Sequence, residues 1–98
     1  MTCHFEAEAL TEYRDAARYS EKKFGLGEDF VQAMEDALAT IAKDPERFQP
    51  VGDGIRIFRM PRFLYYPYYH YSKERAAIVI YAVAHHRRLP DYWRNRLH

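Results

Sequence analysis

Apolar positions change their period near residue 50, and that change divides the chain. Over residues 6–24, Leu10, Tyr13, Ala17 and Phe24 recur at helical spacing among charged and small residues, which predicts an amphipathic helix. Gly25-Leu26-Gly27 then stops it, because glycine tolerates the left-handed conformation past a helix end. A second helix is predicted over 28–43, with Phe30, Met34, Ala37, Leu38 and Ile41 on one face and Glu28-Asp29 favouring its N-terminus. Asp44-Pro45 ends it, since the residue before proline is driven out of helical geometry. Two helices joined this tightly predict an antiparallel hairpin.

From Pro45 to Gly54 the composition predicts a loop, and beyond it the period becomes two. Ile55 to Phe58 alternates as a short strand. Phe63 to Tyr71 reads as a second, aromatic strand, which Pro67 assigns to an edge or a bulge because it lacks an N–H. After a polar turn at Ser72–Arg75, Ala76 to Ala84 is the near-continuous apolar run of a central strand. Thr2 to Phe5 reads as a short strand before the first helix, and Pro90 as the first turn of a short C-terminal helix. The order β-α-α-β-β-β predicts an α+β domain over 1–98, with the helical hairpin packed on one face of a small antiparallel sheet.

Composition narrows the class. At 98 residues, 48% hydrophobic and 30% charged, the chain has the balance of one folded domain. The single Cys3 excludes a disulfide framework and is expected to be a small buried hydrophobe. No apolar run approaches the ~20 residues that span a bilayer, so the expectation is a cytoplasmic protein with no membrane partner. Net charge hides an asymmetry. Residues 1–50 hold 11 acids and 6 bases, whereas residues 51–98 hold 3 acids and 9 bases. Seven of the nine tyrosines and the only tryptophan share the basic half, a composition that suits binding surfaces.

Candidate chemistry is sparse. His85 and His86 are adjacent, so a strand points them to opposite faces, and scattered carboxylates give no three- or four-ligand metal site. No phosphate loop or nucleophile elbow is present, and no cofactor is expected. The remaining cluster leaves the last strand together: His85, His86, Arg87 and Arg88, followed by Tyr92, Trp93, Arg94 and Arg96. Histidine, tyrosine and arginine are the residues that metal-independent RNA cleavage needs for proton transfer and phosphorane stabilisation. The same residues serve equally as packing and salt bridges, and residue type leaves both readings open.

The hairpin with its G-L-G link, the F-x-Y-x-x-Y-Y pattern (Phe63, Tyr65, Tyr68, Tyr69) and the run I-V-I-Y-A-V-A-H-H-R-R-x-P-x-Y-W (Ile78 to Trp93) resemble the RelE/ParE superfamily of toxins from type II toxin–antitoxin systems. Within it, A-V-A-H-H-R-R-L-P-D-Y-W points to the ParE-like, plasmid-stabilisation branch. The resemblance implies a growth-inhibiting protein that binds DNA gyrase through Arg87, Arg88, Tyr92, Trp93, Arg94 and Arg96. It also implies a cognate antitoxin, expected to meet the sheet at Arg56, Arg59, Tyr66 and Tyr68 in a toxin–antitoxin hetero-oligomer. The alternatives are a RelE-like ribosome-dependent mRNA endonuclease using His85, Arg87, Arg88 and Tyr92, and an attenuated relative that mainly binds its antitoxin. Two departures stand out. Leu64 replaces the usual proline before the tyrosines, and Lys43 and Lys73, helical and in a turn, do not match the lysines of the nucleases.

Overall fold

A computed structural model describes residues 1–88 and 92–97. The chain runs β1 (Thr2–Phe5), α1 (Ala7–Phe24), α2 (Gly27–Lys43), β2 (Gln49–Gly52), β3 (Ile55–Ile57), β4 (Tyr65–Ser72) and β5 (Ala77–His85), then a 3-10 turn at Arg94–Arg96. Pro90 and the helix start expected there lie outside the described residues. No helix among the described residues is long and apolar enough to cross a membrane.

The hairpin forms as its glycines dictate. Gly25 takes φ 67°, its N–H bonds the carbonyl of Glu21, and the next N–H, from Leu26, reaches Ser20. This left-handed cap satisfies carbonyls the helix end would leave open. Gly27 is needed for a different reason: a Cβ there would lie 2.8 Å from Cβ of Glu21, whose carboxylate accepts the Gly27 N–H at 3.1 Å. On α2, Phe30, Met34, Ala37 and Ile41 are buried. On α1 the buried stripe is Ala9, Ala16 and Ser20 with Tyr13 half-buried beside it. Small residues there let the helix sit close to the sheet. Phe24, expected on the packed face, is 63% exposed because it ends the last turn, beyond the sheet-facing stripe.

The sheet has five strands in the order β1-β5-β4-β3-β2. It is mixed rather than wholly antiparallel. β1 pairs parallel to β5, because the helical hairpin intervenes between β1 and the remaining strands. The expected 45–54 loop contains β2, which pairs with β3 through a tight turn where Asp53 and Gly54 both have positive φ. Its Pro50 and Gly52 mask the strand in sequence. Cys3 is exposed, since β1 is an edge strand whose first three residues face solvent.

Pro67 lies in a central strand, between β5 and β3, and is buried. Its carbonyl accepts from Phe58 N–H just past the last β3–β4 pair, Ile57–Tyr68, so the missing donor faces a place where the ladder has already ended. The irregularity falls one residue later. Tyr68 pairs with Ala82 and Tyr69 with Ile80, which leaves Tyr81 as the extra residue of β5. Tyr81 and Ala82 consequently both join the cluster on the face away from the helices.

Two clusters result. The larger lies between hairpin and sheet and holds Phe30, Met34, Ile41, Tyr69, Ile78, Ile80 and Val83. The smaller lies on the opposite face, where Trp93 covers Ile55 and Ala82. Tyr69 is fully buried in the first and donates its hydroxyl to the Pro45 carbonyl at 2.6 Å. Burial pushes its phenol up to about 12, with Asp44 adding to the shift and Arg56 opposing it. Because the folded state holds this proton more tightly than the unfolded chain, its stabilisation is complete below pH 10 and is lost between pH 10 and pH 12. Urea denaturation across that interval should show stability falling by up to ~1.4 kcal/mol per pH unit from this group. Tyr69→Phe should flatten that part of the profile.

Candidate functional site

β5 runs beyond the end of β1, so its edge would expose unpaired backbone groups there. Side chains fill that edge instead. Oε1 of Glu12, from α1, accepts the N–H of Val83 at 3.1 Å, and Nη1 of Arg96 donates to the carbonyl of Tyr81 at 2.9 Å. The two side chains also pair with each other through two contacts, at 2.8 and 3.1 Å, and Nε of Arg96 lies 3.0 Å from Glu8. The second oxygen of Glu12 accepts the Tyr92 hydroxyl at 2.9 Å. The Arg96 guanidinium also stacks 4.9 Å from the Tyr92 ring. Only 9% of the Arg96 side chain is exposed, so this arginine belongs to the fold.

The neighbouring residues continue the clamp. Trp93 is fully buried, with its ring 5.9 Å from that of Tyr68. Its Nε1 finds no acceptor among the described residues, a cost of about 1–3 kcal/mol that burial of the ring offsets. Arg94 pairs with Asp53 in the β2–β3 turn and lies over the Trp93 ring at 5.1 Å. The C-terminal segment is thereby tied to α1, to β5 and to the far hairpin. Of the six residues expected at the target, Trp93 is buried and Arg96 is largely covered, whereas Arg87 and Arg88 are exposed.

Two grooves flank Arg88. The first, of ≈ 350 Å³, brings together His85, Arg88 and Tyr92, three of the four nuclease candidates; Arg87 does not line it. Glu12 and Asp15 line the same groove. Burial and the Glu12 carboxylate hold the Tyr92 phenol well above the usual tyrosine range. His85 is shifted the other way, by burial and then by His86 and Arg87, and its Nδ1 accepts the Arg87 N–H at 3.2 Å. A phosphodiester entering this groove meets two carboxylates and a phenol already committed to one of them.

The second groove, of ≈ 240 Å³, lies on the face away from the helices and is lined by Val51, Ile57, Arg59, Tyr66, Tyr68, His86 and Arg88. It unites three residues expected to meet an antitoxin, Arg59, Tyr66 and Tyr68, with one expected at the target. Arg56 is not among them. It pairs with Tyr69 on the helix side of the sheet and donates to the carbonyl of Phe48 at 2.7 Å.

A third groove, of ≈ 350 Å³, opens where the hairpin turn meets the start of β4. Tyr19, Phe24, Leu26, Phe63, Leu64 and Tyr65 line it, with Arg62 and His85 at its rim. Tyr19, Phe24 and Leu64 are 49%, 63% and 52% exposed, an unusual concentration of uncovered apolar surface for so small a domain. Glu12 and this apolar groove had no place among the sequence candidates. The available signal for Glu12 is its position, three residues after buried Ala9 and four before buried Ala16.

The fold and surface define a small α+β domain, with shallow grooves on both sides of Arg88 and at the hairpin turn and a sheet edge closed by side chains of α1 and the C-terminal segment. The sequence model described as "ParE toxin of type II toxin-antitoxin system, parDE" matches residues 4–90, and the chain belongs to that family. A solved structure titled "Chromosomal ParDE TA system from P. aeruginosa" shares its fold, with a TM-score of 0.64 at 13% identity over 87% of this chain and 95% of the other. No curated protein matches the sequence.

Glu12→Ala should leave the Tyr92 hydroxyl and the Val83 N–H without their acceptor and remove the nearer carboxylate from Arg96. Since Glu12 is partly exposed, the expected loss is about 3 kcal/mol, the low end for a broken buried pair. Thermal denaturation should register it as a drop of ~10 °C or more. In the parent protein Trp93 should emit in the blue and resist iodide, and Glu12→Ala should shift that emission to the red.

Proposed function

We propose that this ParE-family toxin stops growth by binding its target, DNA gyrase, rather than by cutting RNA, and that a cognate antitoxin neutralises it. The observation that carries the binding reading is the acidic groove. His85, Arg88 and Tyr92 share it with Glu12 and Asp15, and the tyrosine proton is held by Glu12. Such a groove repels the phosphodiester that a nuclease would have to seat. Arg87 and Arg88, exposed at the turn after β5, are free to meet an acidic patch on a protein.

The antitoxin is assigned to the apolar groove of the hairpin. Tyr19, Phe24 and Leu64 provide anchors for an amphipathic segment, and Lys22, Lys23 and Arg62 beside them suit acidic flanks on that segment. Coupled folding of such a partner commonly buries on the order of 1,000–3,000 Å².

A pulse of expression in growing cells tests the target. Gyrase binding is expected to give DNA-damage induction and filamentation, whereas prompt translation arrest with cut mRNA would identify a ribosome-dependent endonuclease. In the same assay His85→Gln should remain toxic, since it removes only titration near neutral pH. Arg87→Glu with Arg88→Glu should reduce toxicity at least tenfold. Each variant is first checked for Trp93 emission and antitoxin binding, so that a misfolded protein is not scored as harmless.

A further inference from the structure

Arg87 and Arg88 are neighbours in sequence and both exposed, yet the fold treats them differently. The backbone N–H of Arg88 donates to the carbonyl of His85 at 2.9 Å, which fixes where its side chain starts. Its guanidinium then lies over the Tyr92 ring, 4.3 Å from the centroid. That ring is itself held at two points. Its hydroxyl donates to Glu12 at 2.9 Å, and the Arg96 guanidinium, bound to the same carboxylate at 2.8 and 3.1 Å, lies 4.9 Å from the ring centroid. Burial and Glu12 keep the proton on the Tyr92 oxygen, so the donor is present at any pH of growth. Arg87 gains no such platform: among the described residues its contact is a backbone one, its N–H donating to Nδ1 of His85 at 3.2 Å.

A guanidinium at this distance is attracted to the face of the ring but is not neutralised by it. Arg88 therefore keeps its charge for a partner, while its long side chain has already lost the freedom it would surrender on binding. Ordering one flexible side chain at an interface typically weakens binding about threefold to tenfold, and Arg88 is spared that loss. We propose that Tyr92, oriented by Glu12, is a positioning residue for Arg88, and that Arg88 rather than Arg87 is the arginine on which target binding chiefly depends. Tyr92 acts through Arg88 and not on the target directly, because its hydroxyl is committed to Glu12 and its ring to two guanidiniums. The proposal rests on the reading that the toxin works by binding through this turn, and it brings a carboxylate of α1 into the geometry of that contact.

Two readouts on the full chain test it. In NMR spectra of the free protein, the Hδ protons of Arg88 should lie upfield of those of Arg87, shifted by the Tyr92 ring. Tyr92→Leu should abolish that difference, and Tyr92→Phe, which keeps the ring, should retain most of it. Toxicity is then read as the expression level that halts growth. Arg88→Ala should raise that level about tenfold or more, and Arg87→Ala no more than about threefold. Tyr92→Leu should raise it about threefold to tenfold in the parent chain and add nothing in the Arg88→Ala background. A merely structural role for Tyr92, or its direct contact with the target, would weaken toxicity equally in both backgrounds and would overturn the proposal. Equal effects of Arg87→Ala and Arg88→Ala would overturn it too, as would coincident Hδ shifts of the two arginines in the parent. Trp93 emission verifies the fold of each variant, and the parent spectrum with the comparison of Arg87→Ala and Arg88→Ala keeps the test decisive should Tyr92→Leu unfold. Whether arrest shows as DNA damage or as cut mRNA is scored separately in the parent, so failure of the gyrase assignment is told apart from failure of this one. A parent that does not arrest growth would overturn the ranking of the arginines along with the binding reading, and the spectra would still decide the pose of Arg88.

Discussion

The carboxylate of Glu12 determines where the C-terminal segment lies. A parallel edge strand only four residues long leaves part of β5 without a ladder partner, and unpaired backbone groups at a buried edge are costly. Glu12 and Arg96 act there as a surrogate strand, one supplying the acceptor for Val83 and the other the donor for Tyr81. Mutual charge and the Tyr92 hydroxyl then fix both side chains in place. Trp93 lands on Ile55 and Ala82 because Arg96 is anchored beyond it, and the second face of the sheet acquires a core in consequence. The guanidinium of Arg96 meets both oxygens of Glu12 while also reaching Tyr81, a planar bidentate contact that the point charge of a lysine would not reproduce.

The bulge at Tyr81 belongs to the same arrangement. It turns Tyr81 and Ala82 to one face, bringing the smaller cluster together, while Val83 returns to the helix side. A regular β5 would reverse the alternation beyond Ile80 and send Val83 away from the hairpin. One inserted residue thus lets a single strand serve two cores.

Much of this was legible in the sequence, for definable reasons. Both helices, the Gly25 stop, β3, β4 and β5 follow from periodicity and turn chemistry, and each is in place. β2 was hidden because Pro50 and Gly52 speak for a loop, while its pairing is imposed by the adjacent turn. Pro67 was misplaced because the rule against proline in central strands assumes that the neighbouring strand continues, and β3 stops at Ile57. The aromatic-basic character of the second half was visible from composition, but its division was not. Arg56 and Arg59 are three residues apart and face opposite sides of the sheet, a separation that depends on where β3 ends. Glu12 looked like one more solvated helix acid, since nothing local reports a partner eighty-four residues away.

The arginines of the second half, uniform in sequence, are sorted by the carboxylates the fold brings to them. Arg96 meets Glu12 and Glu8 and is almost wholly covered; Arg94 meets Asp53 with 40% of its side chain exposed; Arg62 only approaches Asp29, at 3.9 Å. Arg88 meets a ring and Arg59 an amide, and both stay charged toward solvent. A paired arginine has already exchanged water for a carboxylate, so an incoming anion gains little by displacing that partner. An arginine held by a ring or an amide is positioned without being neutralised, and its attraction for an anion remains available. The carboxylates of α1, α2 and the β2–β3 turn therefore decide which basic residues of the second half can act on anything outside the molecule. Glu12 and Asp15 close one side of Arg88 to anions, whereas the groove on its other side carries no carboxylate among the described residues.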